Sequence, residues 1–159
     1  MSPLLKAAWN DVVTPLFRRP PMVQVAALCW RERKGGIEVD GDSREILLIT
    51  SRETKRWILP KGWPIDGKNL AQAAAQEAWE EGGVRPAKVA TRPAGQFRYF
   101  KTLGSGAQAQ VDTMVFLIEV DEVHRDFPEA LERSSKWVSP ARAAQMVGEA
   151  DLKDILRDF

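Results

Sequence analysis

A capped helix that ends in a knot of acids, set between strand-forming runs, constrains this chain more than any other stretch. Residues 60–84 read P-K-G-W-P-I-D-G-K-N-L-A-Q-A-A-A-Q-E-A-W-E-E-G-G-V. Asn69 is placed to cap a helix, and Gln72, three residues later, to complete a capping box. Gly82-Gly83 supplies the stop, and Pro86 discourages continuation. Ala71, Ala74, Ala75 and Ala78 fall on one face, where side chains this small let a helix axis lie close to a sheet. Glu77, Glu80 and Glu81 project together beside that face, because spacings of three and four residues share one side of a helix.

An acidic helix edge is usually a solvated surface. Here the acids sit at the helix C-terminus, where the dipole disfavours negative charge. No cation inside the helix relieves them: the fourth neighbours of Glu77 are Ala73 and Glu81, those of Glu80 are Gln76 and Val84, and Arg85 lies beyond the glycine stop. At separations of roughly 6 Å and an effective dielectric near 20, each pair repels by on the order of 3 kcal/mol before screening. A bound divalent cation reverses the sign of that cost, and an all-oxygen ligand set suits Mg²⁺ or Mn²⁺ rather than zinc.

Composition narrows the chemistry further. The 159 residues carry 23 Lys and Arg against 22 Asp and Glu, a net charge of +1. That balance gives no support to specific nucleic-acid binding or to attraction by an anionic membrane. Cys29 is the single cysteine and His124 the single histidine, which leaves catalysis to carboxylates, lysines or arginines and points to a reducing, cytoplasmic setting. Residues 1–20 are expected to form a short amphipathic helical extension closed by Arg18-Arg19-Pro20-Pro21, too interrupted for a signal and too short to span a bilayer.

Strands are expected over residues 23–30, 45–51, 57–59, 96–102, 111–120 and 135–138, with a terminal helix over residues 140–159. Strands before and after one central helix predict an α/β (or α+β) domain with a mixed sheet, a single domain over residues 1–159. Cys29 falls in an apolar strand and is expected in the core. His124 is expected in a loop. Glu129 and Glu132 lie in a segment able to swing toward the acids, although a structural or solvated role is the plainer expectation.

The run from Gly62 to Val84 resembles the Nudix box, G-x5-E-x7-R-E-U-x-E-E-x-G-U with U apolar. Gly62, Glu77, Ala78, Glu80, Glu81, Gly83 and Val84 match without a gap. The two glycines and three glutamates alone would coincide by chance on the order of one time in a million per start site. Two positions depart: Lys68 stands where the pattern has Glu, and Gln76 where it has Arg, leaving Gln76 to hydrogen-bond Glu80 without bringing a charge. The resemblance implies an α/β/α sandwich around the mixed sheet. It also implies Mg²⁺- or Mn²⁺-dependent hydrolysis of a diphosphate linked to some group X.

The roles it implies fall on particular residues. Glu77 and Glu81 are the expected metal ligands, helped by the backbone carbonyl of Lys61, and Glu80 is the expected proton acceptor; adjacent carboxylates titrate as a set, so spacing does not settle which is the base. Within the superfamily, A-L-C-W-R at residues 27–31 and T-S-R-E-T-K-R-W-I-L-P-K-G at 50–62, with R-S-S-K-W at 133–137, look like the diphosphoinositol-polyphosphate phosphohydrolase branch. Arg52, Lys55, Arg56 and Lys61 are then candidate phosphate contacts. Gln24 stands where that branch has an arginine for its polyphosphate, so dinucleoside polyphosphates are the equal alternative. A phosphorylated small-molecule substrate is the expected partner, and a monomer or homodimer the expected state. The competing class is a catalytically impaired Nudix-like module that binds a ligand and regulates; Lys68 and Gln76 are its only support.

Overall fold

The structure, a computed structural model, describes residues 20–159, and the helix expected before Pro20 lies outside them. The long first strand β1 (Met22–Glu32) runs parallel to β7 (Gln108–Val123), from Met22 beside Val111 to Trp30 beside Glu119. Two forks shape the sheet. On one edge of β1, residues 30–32 pair with β2 (Arg44–Thr50), and the two strands then splay apart. The segment 57–62 fills the wedge: β3 (Trp57–Ile58) pairs with β2, and β4 (Lys61–Gly62) with Val25 and Ala26 of β1. Pro60, between them, accepts the Ala27 N–H at 2.9 Å. Along the far edge of β7, β6 (Gly95–Thr102) pairs with residues 108–115 and β5 (Val84–Val89) with residues 118–123.

The last strand, β8 (Ser135–Val138), pairs with the free edge of β2. Helix α1 (Leu70–Gly82) covers one face, over Val25, Ala27, Cys29, Leu47, Ile49, Phe116 and Ile118. Helices α2 (Pro140–Met146) and α3 (Ala150–Asp158) cover the other, over Ala26, Leu28, Ile46, Leu48, Phe97 and Val115. The result is the expected α/β/α sandwich on a mixed sheet. β2 is apolar throughout its middle because both of its faces are covered. Among the described residues no helix is long and apolar enough to cross a membrane.

Two elements differ from expectation. β5 was not foreseen, because Pro86 argues against a strand; it is tolerated because β5 pairs on one side only and the register shifts on either side of Pro86. The terminal helix over 140–159 is two helices, broken at Val147 and Gly148, with Pro140 at the start of α2 behind the capping Ser139. Cys29 is fully buried, and burial pushes its thiol well above the usual range, which makes it core and unreactive.

Candidate active site

The acids are positioned by the caps of α1. Asn69 accepts the Gln72 N–H at 2.8 Å and the Gln72 side chain returns to the Asn69 N–H at 2.9 Å, so the expected capping box is formed. Gly83 adopts φ 70° and ends the helix. No larger residue fits there, since a Cβ would collide with the His124 carbonyl and the Phe127 ring. Ala71, Ala73, Ala74 and Ala78 are buried, and the helix lies close enough that a Cβ on Gly82 would press on Leu47. Arg85 does not reach the acids; its guanidinium stacks on Trp79, 3.7 Å from the ring centroid.

β4 supplies the opposite wall. Gly62 lies against the Glu77 carboxylate so closely that any side chain would displace it. The Lys61 N–H donates to Glu81 Oε2 at 3.1 Å. Arg133, its side chain only 6% exposed, donates through Nη2 to Glu81 Oε1 at 3.0 Å and Glu129 Oε1 at 3.1 Å, and through Nη1 to the Thr50 carbonyl at 2.9 Å. Glu129 is brought in by its own N–H, which donates to the Glu80 carbonyl at 3.0 Å. Gln76 Nε2 donates to Glu80 Oε1 at 2.8 Å, the contact foreseen for it, and Lys68 Nζ donates to Gln76 Oε1 at 3.4 Å. The two departures from the box therefore touch each other beside Glu80.

Charge is crowded here. Burial, reinforced by Glu81, Glu80 and Glu129, pushes the Glu77 carboxyl up to about 7. Burial pushes Glu81 to about 7 as well, against the pull of Arg133 and the Lys61 N–H. Both carboxyls thus favour sharing their charge with a cation or a proton. Among the described residues no three acidic, imidazole or thiol side chains converge as a ready-made metal cage. Glu77 and Glu81 nonetheless fit a hard divalent ion by chemistry: all-oxygen donors, partly buried, already paying for mutual repulsion. Arg133 holds one oxygen of Glu81, so a metal there shares that carboxylate with the guanidinium.

The candidate phosphate contacts separate. Lys61 sits at the site, its ammonium donating to the Tyr99 hydroxyl at 3.2 Å and held below its ordinary pKa by burial. Arg52 lies at the rim, paired with Glu129 at 3.3 Å and Glu132 at 3.5 Å. Arg56 packs toward Gly148 and within electrostatic reach of Tyr99. Lys55 occupies an exposed turn at φ 56°, its N–H bonded to the Ser51 carbonyl, and makes no ion pair among the described residues. The segment of Glu129 and Glu132 does swing to the site. Arg133 and Tyr99 had no assigned role: Arg133 carried only a family likeness, and Tyr99 follows Phe97 by two residues on β6 with no signal beyond that alternation. His124 is in a loop, edge-on to Trp79 at 5.5 Å.

Known proteins resemble this chain in sequence and in fold. Nudix hydrolase 13, mitochondrial, of Arabidopsis thaliana is 25% identical over 135 residues, 80% of this chain and 66% of that protein. Nudix hydrolase 21, chloroplastic, of the same plant is 28% identical over 137 residues, 85% of this chain and 64% of that one. The chain thus spans just under two thirds of these curated relatives. Among solved structures, a C. elegans Ap4A hydrolase superposes with a TM-score of 0.59 at 20% identity, covering 88% of this chain and 96% of that one. The NUDIX domain of Shewanella oneidensis NrtR, complexed with ADP ribose, gives 0.61 at 16% identity, covering 99% and 97%. These likenesses agree in fold, and the NUDIX domain family model matches residues 30–159. The chain belongs to the NUDIX domain family.

Proposed function

We propose that this chain is a pyrophosphohydrolase that cleaves a diphosphate linkage in a phosphorylated small molecule, using Mg²⁺ or Mn²⁺ held by Glu77 and Glu81 with the Lys61 carbonyl. The observation that carries this is the close approach of the partly buried Glu77 to Gly62 and the bond from the Lys61 N–H to the buried Glu81, at a helix end where unneutralised acids are costly. When bound, such a cation neutralises the diphosphate oxygens and makes phosphorus accessible to water. Glu80, oriented through one oxygen by Gln76, accepts the proton that the attacking water gives up. Arg133 holds Glu81 and Glu129 on one guanidinium nitrogen beside the site. Lys61, Arg52 and Arg56 bind substrate phosphates. Inositol pyrophosphates and dinucleoside polyphosphates both meet this description. Cys29, kept reduced and buried, agrees with a cytoplasmic setting.

Glu81→Gln tests the reading. It keeps the shape and removes one charge, so hydrolysis should fall by at least about a hundredfold, and the rise in melting temperature on adding Mn²⁺ should shrink. Unchanged turnover together with an unchanged Mn²⁺ response would reduce the acids to a helix edge. The second reading, a regulatory binding module, rests on Lys68 and Gln76 beside Glu80; ligand binding with no metal-dependent turnover of any diphosphate would favour it.

A further inference from the structure

Helix α1 and strand β5 leave a groove of about 250 Å³ between them, and neither Glu77 nor Glu81 lines it. Its polar lining is Lys68, Gln72, Gln76 and Arg85, with Trp79 and Val84 among its apolar residues. The volume falls below that of pockets enclosing drug-sized ligands and suits a small ion. Both charged residues in the lining are cations. Arg85 lays its guanidinium on Trp79, 3.7 Å from the ring centroid, which fixes the plane and leaves the N–H edge for a ligand. The Lys68 ammonium has one contact, the 3.4 Å bond to Gln76 Oε1. Neither cation makes an ion pair among the described residues. Gln72 Oε1 is taken by the Asn69 N–H at 2.9 Å, so its amide nitrogen is left as a donor.

The acids near this groove are engaged or stand outside it. Glu80 is bonded through Oε1 to Gln76 Nε2 at 2.8 Å. Glu122 lies opposite Arg85 in register, and its carboxylate is 3.1 Å from His124 Nε2. Asp66, two residues before Lys68, does not line the groove, and neither does the Lys88 and Glu119 pair farther along β5 and β7. The box pattern would put a glutamate at position 68, and so an acid in the lining; this chain puts a cation there. A lone surface cation gathers counter-ions only loosely. Two cations from different elements, with an amide donor in the same groove, match the several oxygens of one tetrahedral oxyanion.

We infer that the groove between α1 and β5 is a second anion site, that it takes inorganic phosphate between Lys68 and Arg85, and that its occupancy is passed to Glu80 through Gln76. The link is the bond that Lys68 gives up. Drawn to the anion, its ammonium leaves Gln76 Oε1, and the amide that orients Glu80 loses its anchor. Phosphate in the groove then slows hydrolysis without competing for the substrate's place. That effect on turnover rests on the hydrolase reading; the site itself does not.

The first test titrates inorganic phosphate into the metal-free, isotope-labelled protein and follows side-chain resonances by NMR, with chloride at matched ionic strength as control. The Gln72 and Gln76 amides and the Trp79 indole should shift together and saturate at millimolar phosphate. The Glu80 carboxyl should follow the same curve, and chloride should reproduce none of it. Arg85→Gln and Lys68→Gln should each weaken this binding by about tenfold, and leave any response at Arg52 and Arg56 as it was. Both side chains are exposed, so the variants should keep the fold. The second test measures turnover of a dinucleoside polyphosphate with Mg²⁺. Phosphate should lower kcat several-fold at constant KM, whereas phosphate bound among the glutamates would raise KM. Arg85→Gln should keep the basal turnover and escape the inhibition. No saturation at the groove, an equal response to chloride, or undiminished binding in Arg85→Gln overturns the site. A Glu80 resonance that stays still while Gln76 moves, or inhibition that persists in Arg85→Gln, overturns the link. A protein without turnover on any diphosphate sinks the hydrolase reading, while the first test still decides both the site and its link to Glu80.

Discussion

Arg133 brings to this site, from outside the helix, the cation that position 76 lacks. Its guanidinium bridges Glu81 and Glu129 and is pinned by the Thr50 carbonyl, while Glu80 keeps the neutral bond from Gln76. Both partners of the Arg133–Glu81 pair are nearly buried, and removing one side of such a pair strands the other charge. Arg133→Ala should therefore cost about 3 kcal/mol in urea unfolding without metal, and adding Mn²⁺ should restore part of it by taking over as the cation. An unchanged urea midpoint would mean that the bridge contributes nothing. The acids themselves were legible, because Gly62, Glu77, Glu80 and Glu81 owe their meeting to helical spacing and one adjoining loop. Arg133 was not: it reaches Glu81 across 52 positions of chain, and nothing local at either residue announces the other.

Segment 57–62 is the element on which the site turns. It wedges between diverging β1 and β2, presenting the Lys61 N–H to Glu81 and the bare backbone of Gly62 to Glu77. Gly62→Ala should push the Glu77 carboxylate aside and weaken the Mn²⁺ response by several-fold, while the metal-free melting temperature holds or rises as the acids move apart. Equal metal responses in the two proteins would show that the close approach is not what shapes the site. Most elements could be read from periodicity: β8 matches its expected range of 135–138, and the capping box closes as Asn69 and Gln72 suggested. β5 and the break in the last helix escaped for one reason. Pro86 survives only where a strand edge is unpaired, and Val147 turns from α2 because it is buried against the sheet; both depend on what lies alongside.

Across the whole molecule, the raised carboxyls tie stability to pH. Without metal, Glu77 and Glu81 titrate near 7 in the folded chain, against an ordinary value of 4.5. Between those values the folded state keeps protons that the unfolded chain has released, so stability falls as pH rises and levels off above about 7. Melting curves in EDTA from about pH 5 to about pH 8 should show this decline. With Mn²⁺ it should flatten or reverse, because the ion binds the deprotonated acids. A metal-free protein equally stable across that range would mean that the acids are solvated.

The parallel pairing of β1 with β7 carries a consequence for how the chain reaches this state. It places Val25 beside Met114, roughly ninety positions away; β2, β4, β5 and β6 each hang directly on one of these two strands, and β3 and β8 hang on β2. Closing so long a loop costs entropy before any contact repays it. During synthesis β1 waits unpaired on that edge until β7 has left the ribosome, and α1 until then lacks Phe116 and Ile118 from the face it covers. No fragment ending before β7 can then show partial metal binding, and refolding should be slow for a domain of this size, with the site appearing in a single late step.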